Sequence, residues 1–318
     1  MGIYCDLQKA FDTVNHSILL SKIYNYGIRG TVFNWFKNYL TNRKQYVAID
    51  NVSSTISNID CGVPQGSVLG PLLFLIYMND IQYCSRDCNL YLFADDTNVF
   101  VSGKTVPDVT DKANNCMCDL NSWFLCNRLS LNLDKTYFSV FGAGKADINF
   151  ELTIDGTVIK QVNTCKYLGI MIDDKLSWQD HIDFVYNKVV RFVSIFYRIR
   201  HRLSCELSKM MYFAFVYSHL CYGIEIYGNT YHSYLNKLII LNNKILRILQ
   251  NESYRTPVAE FYENYNTLSI PKLHNYRILS LVHKFTYHNS KLPIVFSTYF
   301  NDNQLFYEYN TRGKNCFT

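Results

Sequence analysis

Stretches with the hydrophobic pattern of strands alternate with helical stretches through the first half of the chain. Residues 90–94 are mostly apolar, the acids Asp95 and Asp96 follow, and residues 97–101 form a second β-prone run. Two such runs around a short polar pair predict a tight hairpin with the acids at its tip. Taken alone, an Asp pair is more typical of a solvated turn, because Asp is a frequent turn former.

The same patterns predict the other elements of this half. Asp155-Gly156 predicts a type I′ hairpin turn. Helical spacing and strand-like runs indicate the following elements. Helices are predicted within residues 19–26, 32–40, 68–81 and 107–127, and strands within residues 2–7, 45–49, 137–141 and 165–172.

From about residue 178 the pattern becomes almost wholly helical. Apolar residues at helical spacing predict helices over residues 181–202, 205–222, 231–249 and 272–287. We therefore place a domain boundary near residues 173–179. The predicted fold class is α+β, with a mixed part followed by an all-helical part.

Composition agrees with a globular protein of more than one unit. The chain has 318 residues, of which 48% are hydrophobic, and that is enough to bury a large core. Its eleven cysteines do not follow zinc-site spacing, which favours reduced thiols in an intracellular protein of the nucleus or cytoplasm. We expect no signal peptide and no membrane span.

The positive charge is mild in sum and concentrated in one run. The net charge is +5, and residues 188–202 hold five basic side chains with no acid among them. Such a run is suited to bind phosphates, although a solvated helix face is as good an interpretation from the run alone. The five are Lys188, Arg191, Arg198, Arg200 and Arg202.

A third acid, Asp6, lies near the end of the first predicted strand. One antiparallel sheet can bring it to Asp95 and Asp96, and three converging carboxylates suit a two-metal centre for phosphoryl transfer. A Gly/Pro-rich loop at residues 61–71 precedes an apolar helix that Ser67 can cap. Taken alone, this loop is better explained as an ordinary junction between a loop and a helix, because Gly/Pro loops are common.

Five motifs in order resemble those of one family, the reverse transcriptases of non-LTR retrotransposons (LINE elements), and jockey-like members in particular. Any one of the motifs is a weak signal, but five in the same order and spacing are specific. The similarity also extends into the helical part and to residues 309–312. The motifs are residues 3–12, 62–67, 93–96, 132–136 and 167–169.

The resemblance implies a polymerase palm with an antiparallel sheet and packed helices over residues 1–175. It implies a helical thumb over residues 176–250 and a helical C-terminal region with a polar tail over residues 251–318. Members of the family carry a fingers region and an endonuclease before the first motif. We therefore expect this chain to be a fragment that lacks the endonuclease and most of the fingers.

The resemblance also implies roles for single residues. Asp6, Asp95 and Asp96 would be catalytic and would bind two Mg²⁺ ions, with Mn²⁺ as a substitute. Phe11 would act as a steric gate that selects dNTPs, although residue type alone favours a core aromatic. Gln65, Gly66 and Lys135 would contact the nucleotide, Tyr167, Leu168 and Gly169 would grip the primer, and the basic run would hold the template-primer duplex.

The expected function is that of an RNA-directed DNA polymerase, with an RNA template, a DNA primer and dNTPs as partners and no membrane. Two alternatives stay open. The chain is a truncated remnant that binds RNA or RNA–DNA duplex without synthesis, or it is an RNA-dependent RNA polymerase, against which Phe11 and the motif at residues 93–96 argue.

Overall fold

Helices and strands alternate through the first part of the chain, and helices predominate in the second. The computed structural model describes residues 1–142 and 151–293. The chain separates into two units, Met1–Cys165 and Lys166–Thr318, and each is described by itself. The motif-like residues 309–312 lie outside the described residues.

Thirteen short strands occur in the described residues. They are β1 (Gly2–Cys5), β2 (Arg43–Gln45), β3 (Ala48–Ile49), β4 (Val52–Ser53), β5 (Ser57–Ile59), β6 (Asn89–Phe93), β7 (Asp96–Phe100), β8 (Tyr137–Ser139), β9 (Thr153–Ile154), β10 (Thr157–Val158), β11 (Lys160–Gln161), β12 (Thr164–Tyr167) and β13 (Ile170–Asp173).

Twelve α-helices accompany them in the same residues, together with short 3₁₀ and π segments. The helices are α1 (His16–Asn25), α2 (Gly30–Leu40), α3 (Leu69–Met78), α4 (Val106–Cys126), α5 (Gln179–Val189), α6 (Arg191–Ile199), α7 (Cys205–Tyr212), α8 (Ser218–Cys221), α9 (Ile224–Tyr227), α10 (His232–Leu249), α11 (Ala259–Asn264) and α12 (Ile270–Tyr287).

A five-stranded sheet in the order β11-β8-β1-β7-β6 organises the first unit. Strand β1 lies in its centre and pairs antiparallel with β7 and β8, so that Ile3 faces Val99 on one side and Phe138 on the other. These three side chains are fully buried in one core with Phe74 of α3 and Leu120 of α4. The mixture of an antiparallel sheet with packed helices is the predicted α+β class.

Most of the predicted elements of the first unit are present. Helix α4 covers the range predicted for it within one residue at each end. Strands β9 and β10 turn at Asp155 and Gly156, whose φ angles of 48° and 75° are both positive, as a type I′ turn requires. The strand predicted at residues 45–49 is instead divided, because β2 pairs with β5 and β3 pairs with β4.

The prediction of one strand over residues 165–172 is wrong. Strands β12 and β13 form a hairpin that turns at Leu168 and Gly169, whose φ angles are 45° and 84°. Continuous β-prone sequence does not reveal such a turn when a Leu occupies one of its two left-handed positions, which L-residues rarely adopt.

The helix predicted over residues 181–202 is interrupted. Helix α5 ends at Val189, α6 begins at Arg191, and a 3₁₀ turn completes the run. The amide of Val193 donates to the carbonyl of Val190 at 3.1 Å, an i to i+3 bond that tightens the backbone at the break. The hydrophobic period continues across this position, so the pattern alone does not show the break.

Buried aromatic residues fill the centre of the second unit. Tyr212, Tyr227 and Tyr265 are almost fully buried and share one core with helix α10. The hydroxyl of Tyr212 donates to Asn242, whose amide donates to the hydroxyl of Tyr262 at 3.1 Å. The high Tyr content of the chain therefore serves packing as well as surface contacts.

The structure also bears on the expectations about the cysteines and about membrane spans. Cys88 and Cys116 form a disulfide, contrary to the expectation that all thiols are reduced, and the other eight described cysteines are free. The two residues come together across 28 positions of sequence, a proximity that cysteine spacing does not reveal. In the described ranges, no helix combines the length and apolar character needed to cross a membrane.

Candidate active site

The acid pair lies at the turn of the β6–β7 hairpin, as the sequence predicts. Phe93 and Asp96 are the last paired residues, so Ala94 and Asp95 form a two-residue turn. Ala94 has a φ of 53°, a left-handed conformation that costs an L-residue about 1–2 kcal/mol. The local conformation at the acids is therefore strained, a feature often found at functional sites.

Asp6 follows the adjacent strand and approaches the same hairpin. Cys5 of β1 lies opposite Thr97 of β7, which places Asp6 beside Asp96 where these two inner strands meet the hairpin turn. Burial raises the pKa of the Asp96 carboxyl, and the charges of Asp95 and Asp6 raise it further. The structure thus brings Asp6 and Asp95 within electrostatic reach of Asp96.

The segment that follows Leu131 is attached to Asp6 through its backbone. The amide of Asn132 donates to the Asp6 carbonyl at 2.8 Å, and the hydroxyl of Thr136 donates to the Asn132 carbonyl at 2.8 Å. Lys135, between these two residues, places its Nζ 4.0 Å from Oδ2 of Asp6. Lys135 is therefore positioned beside the acids, although most of its side chain is exposed.

Phe11 lies on the same chain segment as Asp6 and is half-buried. Its ring stacks on Phe74 of α3, with a centroid separation of 4.4 Å and an angle of 25° between the rings. The ring is thus fixed on one face by the core. Its role as a steric gate stays a prediction.

The predicted Gly/Pro loop is fastened to the segment after Phe11. The amide of Val63 donates to the Phe11 carbonyl at 2.9 Å, and the amide of Gly62 donates to the Val14 carbonyl at 2.8 Å. The Nε2 of buried His16 donates to the Gly62 carbonyl at 2.7 Å. Three hydrogen bonds therefore hold this loop against residues 11–16.

Ser67 bonds to the first turn of α3, as its predicted capping role implies, although Val68 occupies the N-cap position itself. Its Oγ accepts a hydrogen bond from the Gly70 amide at 2.9 Å. Gln65 and Gly66 are exposed at the loop tip, and Gly66 has a φ of 79°. Gln65 also lines an open pocket of about 710 Å³ beside Asp12.

Tyr167, Leu168 and Gly169 lie at the turn of the β12–β13 hairpin. The hydroxyl of Tyr222 donates to the Leu168 carbonyl. A Cβ on Gly169 would lie 3.2 Å from the Tyr222 ring, so this ring packs directly against the turn. The hairpin tip is thereby fixed to the helical part of the second unit.

The five basic residues of the run at residues 188–202 are mostly exposed. Lys188 lies 4.3 Å from the centroid of the Phe184 ring, and the Arg200 guanidinium lies 4.4 Å from that of Tyr197. None of the five forms a salt bridge with an acid in the part of the chain that the structure describes. Lys188, Arg191, Arg198 and Arg202 are exposed and Arg200 is half-buried.

Residues 1–172 match the family model described as reverse transcriptase (RNA-dependent DNA polymerase), and this match covers more than half of the chain. The chain belongs to the reverse transcriptase family. The matched range contains all five motifs found in the sequence, which confirms the resemblance drawn from them.

Retrotransposon members of the reverse transcriptase family are similar over most of the chain. The RNA-directed DNA polymerase from mobile element jockey of Drosophila melanogaster is 29% identical over 284 residues, covering 86% of this chain and 30% of the relative. The probable RNA-directed DNA polymerase from transposon X-element of the same species is 28% identical, covering 78% and 28%. The chain spans about 30% of the length of these relatives.

A solved structure of telomerase from Candida albicans, in complex with a fragment of telomeric RNA, is also similar to the chain. The identity is 12% and the TM-score is 0.39, over 90% of this chain and 49% of the telomerase chain.

Reverse transcriptases generally use divalent metal ions, and the three acids fit such ions by donor type. Carboxylate oxygens are preferred ligands of Mg²⁺. Burial and then the charges of Asp95 and Asp6 raise the pKa of Asp96, and a cation would relieve the repulsion from these charges. Within residues 1–142 and 151–293, no group of three His, Cys, Asp or Glu side chains has the arrangement of a metal site. The fit is therefore one of chemistry and charge.

The sequence did not single out two side chains that lie beside the candidate site, Asp12 and His16. Both hold the loop that carries Gln65, and neither belongs to a recognisable pair in sequence. Asp12 could have been noticed as a polar residue directly after Phe11, in the connection between a strand and a helix, where functional residues are common.

Proposed function

We propose that this chain is the polymerase portion of a retrotransposon reverse transcriptase, which extends a DNA primer along an RNA template with dNTPs. The observation that supports it most directly is the approach of Asp6 and Asp95 to Asp96 at the ends of two neighbouring strands. That constellation occurs in a chain of this family whose relatives are retrotransposon polymerases.

In this proposal Asp6, Asp95 and Asp96 hold two Mg²⁺ ions, which Mn²⁺ can replace. When bound, the ions would lower the pKa of the attacking primer hydroxyl and would neutralise charge on the leaving pyrophosphate. The three carboxylates would position the two ions. The turn at Ala94 keeps Asp95 and Asp96 at the tip of the β6–β7 hairpin. Positioning and electrostatics supply most of the rate of phosphoryl transfer.

Residues around the acids select and orient the nucleotide. Phe11, braced by Phe74, blocks a ribose 2′-hydroxyl and so favours dNTPs over NTPs. Gln65 and Gly66 contact the sugar and the template base. Lys135, beside Asp6, steadies the pyrophosphate as it leaves.

The second unit is proposed to hold the nucleic acid. Tyr167, Leu168 and Gly169 contact the primer, and the turn conformation gives them a defined backbone course. The five basic residues from Lys188 to Arg202 form no salt bridge among the described residues, so their charge is available to phosphates. Their binding has no sequence preference, because phosphates carry no sequence information.

The protein would act in the nucleus or the cytoplasm.

Primer extension on an RNA template tests the proposal. The purified chain, Mg²⁺ and dNTPs are compared with Asp95→Ala and Asp96→Ala, while Asp111→Ala on α4 controls for loss of an exposed acid. Extension lost in the first two variants and kept in the third supports the assignment. Extension that survives both active-site substitutions refutes it, and duplex binding by a chain that never extends indicates a binding remnant.

A further inference from the structure

The carboxylate of Asp12 holds the amide of Gln65, a residue 53 positions later in the chain. The Nε2 of Gln65 donates to Oδ1 of Asp12 at 2.9 Å. An ionised carboxylate accepts hydrogen bonds and donates none, so only the NH₂ end of an amide can face it. This chemistry fixes which end of the Gln65 amide faces Asp12.

Both partners are attached to backbone that is itself fixed. The amides of Gly62 and Val63 donate to carbonyls on either side of Asp12, those of Val14 and Phe11. A Cβ at Gly62 would lie 2.8 Å from the Asp12 carbonyl oxygen, so the two segments touch along their backbones. The hydrogen bond between Gln65 and Asp12 therefore joins two side chains whose backbone segments are already held together.

The bond changes what Gln65 presents to the open pocket beside it. A free amide on an exposed loop rotates and offers its oxygen and its nitrogen about equally. With Nε2 held by Asp12, Oε1 is the end left for a ligand. A fixed acceptor binds a ligand more tightly than a rotating one, because no side-chain entropy is lost when the ligand binds.

We propose that Asp12 is a positioning residue for the incoming nucleotide, acting through Gln65. It fixes the Gln65 amide so that Oε1 faces a hydrogen-bond donor of the nucleotide or of its paired template base, and it does not touch the nucleotide itself. This inference rests on the proposed polymerase function and adds to it a residue that sets nucleotide affinity.

The substitution that separates orientation from packing is Asp12→Asn. Asn has the shape of Asp but can donate to Oε1 as readily as it accepts from Nε2, so the bond survives while its direction is lost. If half of the amides then face the wrong way, the apparent affinity for dNTP falls about twofold. Asp12→Leu removes the bond altogether and is expected to raise the KM for dNTP about tenfold, with a smaller change in kcat.

The experiment measures KM and kcat for dNTP with the full chain on an RNA template and a DNA primer. Asp12→Asn and Asp12→Leu are made alone and together with Gln65→Ala, and Asp50→Asn in the β3–β4 turn is the control. If Asp12 acts through Gln65, neither Asp12 substitution raises KM further once Gln65 is Ala. A general effect on folding would instead add to the Gln65→Ala effect.

Wild-type KM in both Asp12 variants, or full additivity with Gln65→Ala, overturns the inference. A second measurement keeps it distinct from the polymerase proposal: the Kd for dNTP of the chain bound to a primer that ends in a dideoxynucleotide, where no chemistry occurs. A chain that binds dNTP in an Asp12-dependent manner but never extends supports this inference and refutes the polymerase. A chain that neither extends nor binds dNTP overturns both.

Discussion

The ammonium group of Lys135 lies 4.0 Å from the carboxylate of Asp6. With 72% of the Lys135 side chain and 39% of the Asp6 side chain exposed, water screens this pair, and its attraction is worth at most about 1 kcal/mol. Lys135 is therefore a weak competitor for a cation at Asp6, yet close enough to reach a phosphate held there.

Lys135→Met is expected to separate these two effects. Without the ammonium group, the Mn²⁺ concentration for half-saturation falls by up to about fivefold, because a competing charge of about 1 kcal/mol is lost. Extension at saturating metal nevertheless slows, since the pyrophosphate loses a contact. Titration with Mn²⁺ followed by paramagnetic resonance measures the first effect, with Lys135→Arg as control. A higher metal requirement in Lys135→Met contradicts this account.

Asp96→Asn is expected to stabilise the chain when divalent ions are removed. The folded-state pKa of Asp96 is raised above its unfolded value, so the folded state holds its proton more strongly. Stability is therefore highest below the unfolded pKa and is lost as the pH rises through the folded pKa. The variant lacks this loss, and urea unfolding in EDTA across acidic to neutral pH measures the difference.

Added Mg²⁺ should make the wild type more stable than Asp96→Asn, the reverse of the order expected in EDTA. At ten times its Kd, an ion that binds only the folded state stabilises the wild type by about 1.4 kcal/mol. Asp96→Asn should gain much less, and Asp111→Asn should behave as the wild type. Equal stabilisation of all three by Mg²⁺ would place the ion elsewhere.

His181 is expected to make the second unit sensitive to acid. Its Nδ1 accepts a hydrogen bond from the Met171 amide at 3.2 Å, and its ring lies 4.8 Å from that of Tyr227. Burial lowers the pKa of His181 to about 4, with a smaller contribution from Lys188. A lowered histidine pKa gives stability that is present above the unfolded value near 6.5 and is lost as the pH falls toward the folded value.

The slope of that loss is at most about 1.4 kcal/mol per pH unit. His181→Phe should lower stability at neutral pH, because the Met171 amide loses its acceptor, but should flatten the dependence between about pH 6.5 and 4. Urea unfolding followed by tyrosine fluorescence gives both quantities. His201→Phe, at an exposed histidine, should leave the slope unchanged, and an unchanged slope in His181→Phe would mean that another group titrates.

Gly169→Ala should destabilise the chain more than Gly156→Ala does. Both glycines have positive φ, 84° and 75°, so each substitution costs about 1–2 kcal/mol in conformation. Only at Gly169 would the new Cβ also meet a ring, that of Tyr222 at 3.2 Å, and crowding of this kind adds about 1 kcal/mol or more. Gly169→Ala combined with Tyr222→Leu should remove the excess, as measured by urea unfolding. A combined variant with the full excess would exclude the Tyr222 contact as its cause.

The sequence by itself determined the elements with strong local signals. Helix α4 and the turn at Asp155 and Gly156 follow from hydrophobic period and turn chemistry, both of which act over a few residues. The acid pair at a hairpin turn was equally readable, because β-prone runs flank it closely. Motif order supplied the family, which the match over residues 1–172 confirms.

Tertiary structure decided what depends on contacts between distant segments. The hairpin turn at Leu168 and Gly169 is held by a hydrogen bond from Tyr222, which is 54 residues from Leu168 in the chain. The helix break after Val189 does not alter the hydrophobic period, so the sequence pattern does not show it. The bonds from Asp12 to Gln65 and from His16 to Gly62 join segments about fifty residues apart. Local pattern sets which face of an element is buried, but only the folded packing selects the residue that each polar side chain meets.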